Sequence, residues 1–96
     1  MRNIEEQRCH LCQQKARFYF VDHGDKKYFD CPSCKRYLIS NLAENFLIEA
    51  IEEVRKETAK FASESKEDEA TVISCKVTSE GKQITVAYEP RKTLPI

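Results

Sequence analysis

The sequence predicts an α+β fold: a metal-stapled β-unit first, then one central amphipathic helix, then a β-hairpin packed on that helix. Three observations predict it. Four of the five cysteines form two Cys-x-x-Cys pairs, Cys9/Cys12 and Cys31/Cys34, with 18 residues between Cys12 and Cys31. Apolar residues recur mostly at three- and four-residue steps from Ala43 to Ala62, the period of a helix with one buried stripe. Residues 71–88 alternate apolar and polar side chains around a Gly-containing turn, the pattern of a half-buried hairpin.

The elements follow in order. Residues 1–8 read as a polar lead-in. Residues 9–39 form the cysteine unit, with aromatic and β-branched segments at Arg17-Phe18-Tyr19-Phe20-Val21 and Lys27-Tyr28-Phe29. Asp22-His23-Gly24-Asp25 lies between them, and Gly24 can take the positive φ that a hairpin turn needs. Tyr37-Leu38-Ile39 supplies a third strand. Residues 40–62 read as the helix, with a stripe of Ala43, Phe46, Leu47, Ala50, Ile51, Val54, Phe61 and Ala62. Its start carries Asn41 followed by Glu44, a capping-box-like pair, with Ser40 as the alternative cap. Glu52 and Lys56 form a helix-supporting i,i+4 pair. Residues 63–70 have no periodicity and read as an acidic loop. In 71–88, a two-residue turn at Glu80-Gly81 pairs Val77 with Ile84, Cys75 with Val86 and Ile73 with Tyr88, all on one face. Helix stripe and sheet face each need cover, and each can cover the other. Pro90 ends the strand, leaving 89–96 as a tail.

The cysteine spacing is that of a structural zinc site. Each Cys-x-x-Cys turn brings two sulfurs to one ion, and an antiparallel hairpin brings the two turns together. Four thiolates complete a tetrahedral shell and leave no position for water or substrate, so the expected Zn2+ is structural rather than catalytic. Its ligands are Cys9, Cys12, Cys31 and Cys34. Iron is the alternative metal, since two such knuckles also suit a rubredoxin-like centre; a colourless protein would argue against it.

Cys9-His10-Leu11-Cys12, the aromatic hairpin, Cys31-Pro32-Ser33-Cys34 and the Tyr37-Leu38-Ile39 strand together resemble a zinc ribbon. The resemblance covers about a third of the chain and implies a metal and a local fold. Zinc ribbons commonly place Gly directly after each knuckle, where this chain has Gln13 and Lys35. The family includes transcription factors, ribosomal proteins, primases, defence proteins and protein adaptors. A treble clef, with a helix starting near Cys34, is the structural alternative, and the β-prone Tyr37-Leu38-Ile39 disfavours it.

Composition bounds the function. The chain has 96 residues, 41% hydrophobic and 33% charged, with a formal net charge of zero. That suits one small soluble domain, for which a metal staple is physically reasonable. No apolar run approaches the ~20 residues that cross a bilayer. The first residues lack the apolar stretch of a secretory signal, so a cytoplasmic location with reduced, metal-binding cysteines is expected. Charge is unevenly spread: residues 1–40 carry +3, residues 41–70 carry −5 and residues 71–96 carry +2. There is no global basic field of the kind that marks strong non-specific nucleic-acid binding.

Nothing in the sequence assembles catalytic machinery. His10 sits beside a ligand and reads as exposed on its turn, and His23 as a turn residue. Cys75 reads as an inert small hydrophobe on the inward face of a strand. A catalytic thiolate would need a base beside it, and the sequence places neither histidine there. The expectation is a non-enzyme: a zinc-dependent protein–protein adaptor or regulatory module. The competing class is a nucleic-acid-binding protein using Arg17, Lys26, Lys27, Lys35 and Arg36, with Phe18, Tyr19, Tyr28 and Tyr37 between them. The plainer reading of those rings is a mini-core. The helix stripe offers one further partner, a second copy of the chain in a homodimer.

Overall fold

A computed structural model of the chain describes residues 4–21 and 24–93. The expected turn residues Asp22 and His23, and the end of the tail at 94–96, lie outside the described residues.

The elements are β1 (Glu5–Arg8), β2 (Lys15–Val21), β3 (Lys26–Cys31), β4 (Lys35–Ser40), α1 (Asn41–Glu49), α2 (Glu52–Ser63), β5 (Glu69–Thr78) and β6 (Gly81–Pro90), followed by a 3-10 turn at Arg91–Thr93. The fold is α+β, as expected. All six strands form one sheet in sequence order. Neighbours are antiparallel except β4 and β5, which run parallel through Tyr37↔Thr71, Leu38↔Val72 and Ile39↔Ile73. The cysteine unit and the C-terminal hairpin are therefore one continuous sheet, and β1 adds a strand to the polar lead-in.

The parallel joint explains the helical layer. A straight helix over residues 41–62 would span about 33 Å at 1.5 Å per residue. The six residues of β4 span only about 20 Å, so a straight helix would overshoot the start of a parallel neighbour. The single expected helix is instead two. Ala50 and Ile51 take extended backbone (ψ 154° and 157°), and the chain turns between α1 and α2. Arg55 Nη1 donates to the freed Ala50 carbonyl at 2.8 Å. This break puts Ile51, expected in the apolar stripe, on the surface at 66% exposure. The cap at the start of α1 is Ser40, whose Oγ accepts from the Ala43 amide at 3.2 Å. Asn41 Nδ2 instead donates to the Gly24 carbonyl, and Gly24 has the positive φ (+88°) that its turn requires.

The β5–β6 turn lies at Ser79-Glu80, one residue earlier than expected. Thr78 pairs with Gly81, Cys75 with Ile84, Ile73 with Val86 and Thr71 with Tyr88. Gly81 (φ +126°) absorbs the strain just after the turn. Thr78 Oγ1 braces it by accepting from the Glu80 amide and donating to the Gly81 carbonyl. The pairing thus slips by two residues, which leaves every side chain on its expected face. Ile73, Cys75, Ile84 and Val86 meet the helices in the main core, with Ala43, Leu47 and Ala62. Phe61 stacks on Tyr88 at 4.2 Å, and the Tyr88 hydroxyl donates to the Phe61 carbonyl.

The opposite sheet face carries a second, smaller apolar cluster of Val21, Tyr28, Leu38 and Ala70, with Tyr19 packed against it. No helix covers this face among the described residues. No described helix is long and apolar enough to cross a membrane.

Candidate metal centre

The first knuckle joins β1 to β2 and the second joins β3 to β4. Strands β2 and β3 are antiparallel neighbours, with Arg17 facing Asp30 and Phe18 facing Phe29. The start of one and the end of the other therefore lie at the same end of the sheet. This is what the 18-residue separation accomplishes: one strand out, one strand back, and both knuckles together.

The four sulfurs of Cys9, Cys12, Cys31 and Cys34 all lie within 4.8 Å of one another. Cys12 and Cys31 are 3.3 Å apart, Cys9 and Cys34 3.9 Å. A tetrahedral ion with metal–sulfur bonds of about 2.3 Å has sulfur–sulfur edges of about 3.8 Å. The cluster fits one such ion with changes in sulfur–sulfur separation of no more than about 1 Å, and all four cysteines are free of disulfides. Three of the four are buried and Cys12 is half-buried, so the set closes around an ion rather than presenting it to solvent.

The knuckles are built alike. The amides of Leu11 and Cys12 point at Cys9 Sγ, and those of Ser33 and Cys34 at Cys31 Sγ. Each turn ends in a left-handed residue: Gln13 at φ 66° and Lys35 at φ 63°. At these two positions, where zinc ribbons commonly carry Gly, non-glycine residues take the left-handed backbone. Cys34 leads directly into β4, not into a helix.

Four packed thiols cannot all ionise unless a cation shares their charge. Hydrogen bonding from Cys34, aided by Tyr37 and the Leu11 and Cys12 amides, pulls the Cys9 thiol down strongly. That same bond to Cys9 pushes Cys34 far up. Burial pushes Cys31 up to about 11. A divalent ion reverses this balance by displacing the remaining protons, so affinity for metal rises with pH.

Two neighbours of the cage are not evident from the sequence. Tyr37 is fully buried, and its hydroxyl lies 3.2 Å from Cys9 Sγ. Burial holds its pKa well above the usual phenol range, so it stays protonated and donates to the sulfur. Its ring ends a row of cross-strand stacks, Phe18 on Phe29 at 5.2 Å and Phe29 on Tyr37 at 4.9 Å. His10, expected on the surface, is largely buried and hydrogen-bonded to Glu44 of α1, which also accepts from Lys27 Nζ at 2.8 Å. This ties the first knuckle to the helical layer. Burial pushes the Glu44 carboxyl up, but its bonds to His10 and Lys27 outweigh that and hold it below its ordinary 4.5.

The sheet divides the basic and aromatic residues of the nucleic-acid expectation. Phe18, Lys27, Lys35 and Tyr37 lie on the helix side. There Lys27 is held by Glu44 and lies 4.9 Å from the Phe18 ring centroid, while Lys35 donates to the Ser65 carbonyl at 2.7 Å. Arg17, Tyr19, Lys26, Tyr28 and Arg36 share the helix-free face, where Glu6, Arg17, Asp30 and Arg36 form a cross-strand row of alternating charge. Cys75 is half-buried against the main core. No protein-family model, curated protein or solved structure matches this chain.

Proposed function

We propose that this protein is a non-catalytic binding module, stapled by one structural zinc ion, that takes nucleic acid on the helix-free face of its sheet. Zinc is favoured by the all-thiolate, closed, four-coordinate donor set, which it fills without redox chemistry. Native mass spectrometry of colourless protein with one zinc per chain is the expected result. A red protein containing iron would refute it.

The observation that carries the binding reading is the row Arg17–Asp30–Arg36 across β2, β3 and β4. The helix-free face carries Lys15, Arg17, Lys26 and Arg36 against Glu6, Asp30 and Glu89, a basic excess that the balanced net charge of the chain conceals. The row continues to Glu6 on β1, which Lys15 neutralises at 2.7 Å, and Arg17 and Arg36 alternate with Glu6 and Asp30, with Tyr19 and Lys26 on the same face. The acidic residues Glu49, Glu52, Glu53 and Glu57 belong to the helices. Guanidiniums suit phosphates and aromatic rings suit bases.

Binding of a labelled single-stranded oligonucleotide, measured by fluorescence anisotropy, tests the reading. Two or three phosphate contacts predict an affinity loss of roughly ten-fold between 50 and 200 mM salt. Arg17→Ala and Arg36→Ala should each weaken binding. Salt-independent or absent binding would reject it.

The adaptor reading keeps one specific support. Ile48 and Ile51, at the junction of the helices, are 60% and 66% exposed. Co-purification of one protein, lost in Ile48→Ser and Ile51→Ser, together with no oligonucleotide binding, would establish it instead.

A further inference from the structure

We infer that the turn after β6 closes a phosphate-binding cleft on the helix-free face, and that the cleft takes one backbone phosphate of a single-stranded nucleic acid. The inference rests on the nucleic-acid reading and adds to it the site, two further residues and the strandedness of the ligand.

A cleft of about 260 Å³ lies on this face, lined by Arg17, Tyr19, Tyr28, Asp30, Arg36 and Arg91, with Ile4 and Phe18 at its edge. Three guanidiniums against one carboxylate leave it with two positive charges in excess. Arg91 reaches it from the 3-10 turn beyond β6. The Arg91 amide donates to the Asp68 carbonyl at 2.9 Å, and Nη1 donates weakly to the Glu67 carbonyl at 3.3 Å.

The second observation concerns unmet hydrogen bonds. Tyr28 is 5% exposed, and its hydroxyl is buried with no hydrogen-bond partner. Arg91 Nε is buried and unpartnered as well. Arg91 stands beside the phenol and opposes the rise in its pKa that burial causes. Buried polar groups are nearly always satisfied in folded proteins, and leaving one unmet costs stability. Two unmet donors on residues that line a cleft of three guanidiniums and one carboxylate describe a site for an anion with several acceptor oxygens. A phosphodiester meets this need: its oxygens accept from the phenol and from the fork of an arginine.

The strand rather than the duplex follows from the shape of the face. It projects no helix to enter a major groove among the described residues. Tyr19, half-buried with its ring 5.4 Å from that of Tyr28, stands next to the cleft where a neighbouring base can stack.

The test uses the full, zinc-loaded chain and a labelled ten-nucleotide oligouridylate. Tyr28→Phe removes only the unpartnered hydroxyl. It should leave Tm equal or higher and weaken binding about three- to ten-fold, the usual worth of one hydrogen bond. Arg91→Ala should weaken binding about ten-fold or more and make the salt dependence shallower by about 0.7 in logarithmic slope. Arg91→Lys should retain the slope and lose only part of the affinity. If Tyr28→Phe and Arg91→Ala bind like wild type while Arg17→Ala and Arg36→Ala do not bind, the cleft falls and the sheet-face reading stands. If wild type binds no oligonucleotide, both fall. A duplex of equal length bound as tightly would overturn the single-strand assignment.

Discussion

Replacing Tyr37 with Phe isolates what the protein adds to its metal beyond the four ligands. The ring, with its 4.9 Å stack on Phe29, is retained; the one loss is the hydroxyl 3.2 Å from Cys9 Sγ. The site is fully buried, so water cannot readily replace the donor. A hydrogen bond to a charged acceptor is worth about 1.5–3 kcal/mol. At 1.4 kcal/mol per decade this corresponds to roughly a 10- to 100-fold loss of metal affinity, the range usual for partners of metal ligands. The assay is competition for zinc against a chromophoric chelator at fixed pH. It is paired with thermal unfolding of the loaded protein, whose Tm should fall. Unchanged zinc affinity would mean that the hydroxyl is a bystander and that the backbone amides alone tune Cys9.

Other perturbations have equally defined outcomes. Gln13→Gly relieves a left-handed non-glycine residue and should stabilise the loaded protein by about 0.5–1 kcal/mol in denaturant titration, since αL costs ordinary residues ~1–2 kcal/mol; Lys35→Gly should gain less because it also loses the bond to Ser65. Lys27→Ala leaves the buried Glu44 with His10 alone and should cost about 1–3 kcal/mol, while oligonucleotide affinity of the folded fraction stays unchanged. The Glu44 pKa is depressed on folding, so its contribution is present above the ordinary 4.5 and is lost as pH falls through the lower folded value. Glu44→Gln should flatten that acid limb of the stability curve. Chelation should erase the dispersed amide NMR signals of β1–β4 and, through the β4–β5 joint, those of β5, because structural zinc supplies about 10–16 kcal/mol against a net stability of about 5–15 kcal/mol.

The sequence displays what is local and hides what is not. The ligand set is legible because two Cys-x-x-Cys turns at this separation have few other uses. The faces of the C-terminal hairpin are legible despite the two-residue slip, because parity survives an even shift. The helix break at Ala50-Ile51 is not legible: no Pro or Gly marks it, and it is imposed by the distance the chain must return to pair β5 beside β4. That parallel pairing joins residues over thirty positions apart, so no local pattern announces it. The aim of Tyr37 at Cys9 and the arrival of Arg91 beside Tyr28 depend on the same long-range pairing. Lys26 and Lys27 look alike in sequence, yet one residue of strand parity puts them on opposite faces.

The metal centre and the proposed binding face are physically one device. Arg17 and Arg36 are separated by 18 intervening residues in the chain but by only two strand spacings in the sheet, about 10 Å. Asp30, between them, directly precedes Cys31, and Arg36 lies two residues beyond Cys34. An unfolded chain dilutes these charges over a large volume; the sulfur cage brings them within about one Debye length at 0.1 M salt. The positive cleft is therefore a property of the metal-loaded fold and not of composition. Reciprocity then requires that an oligonucleotide bound to this face raise the affinity for zinc by the same factor that zinc raises the affinity for the oligonucleotide. Chelator competition with and without saturating oligouridylate measures one side of that cycle, and anisotropy before and after zinc removal measures the other. A factor of one on both sides would show that the oligonucleotide binds somewhere the cage does not order.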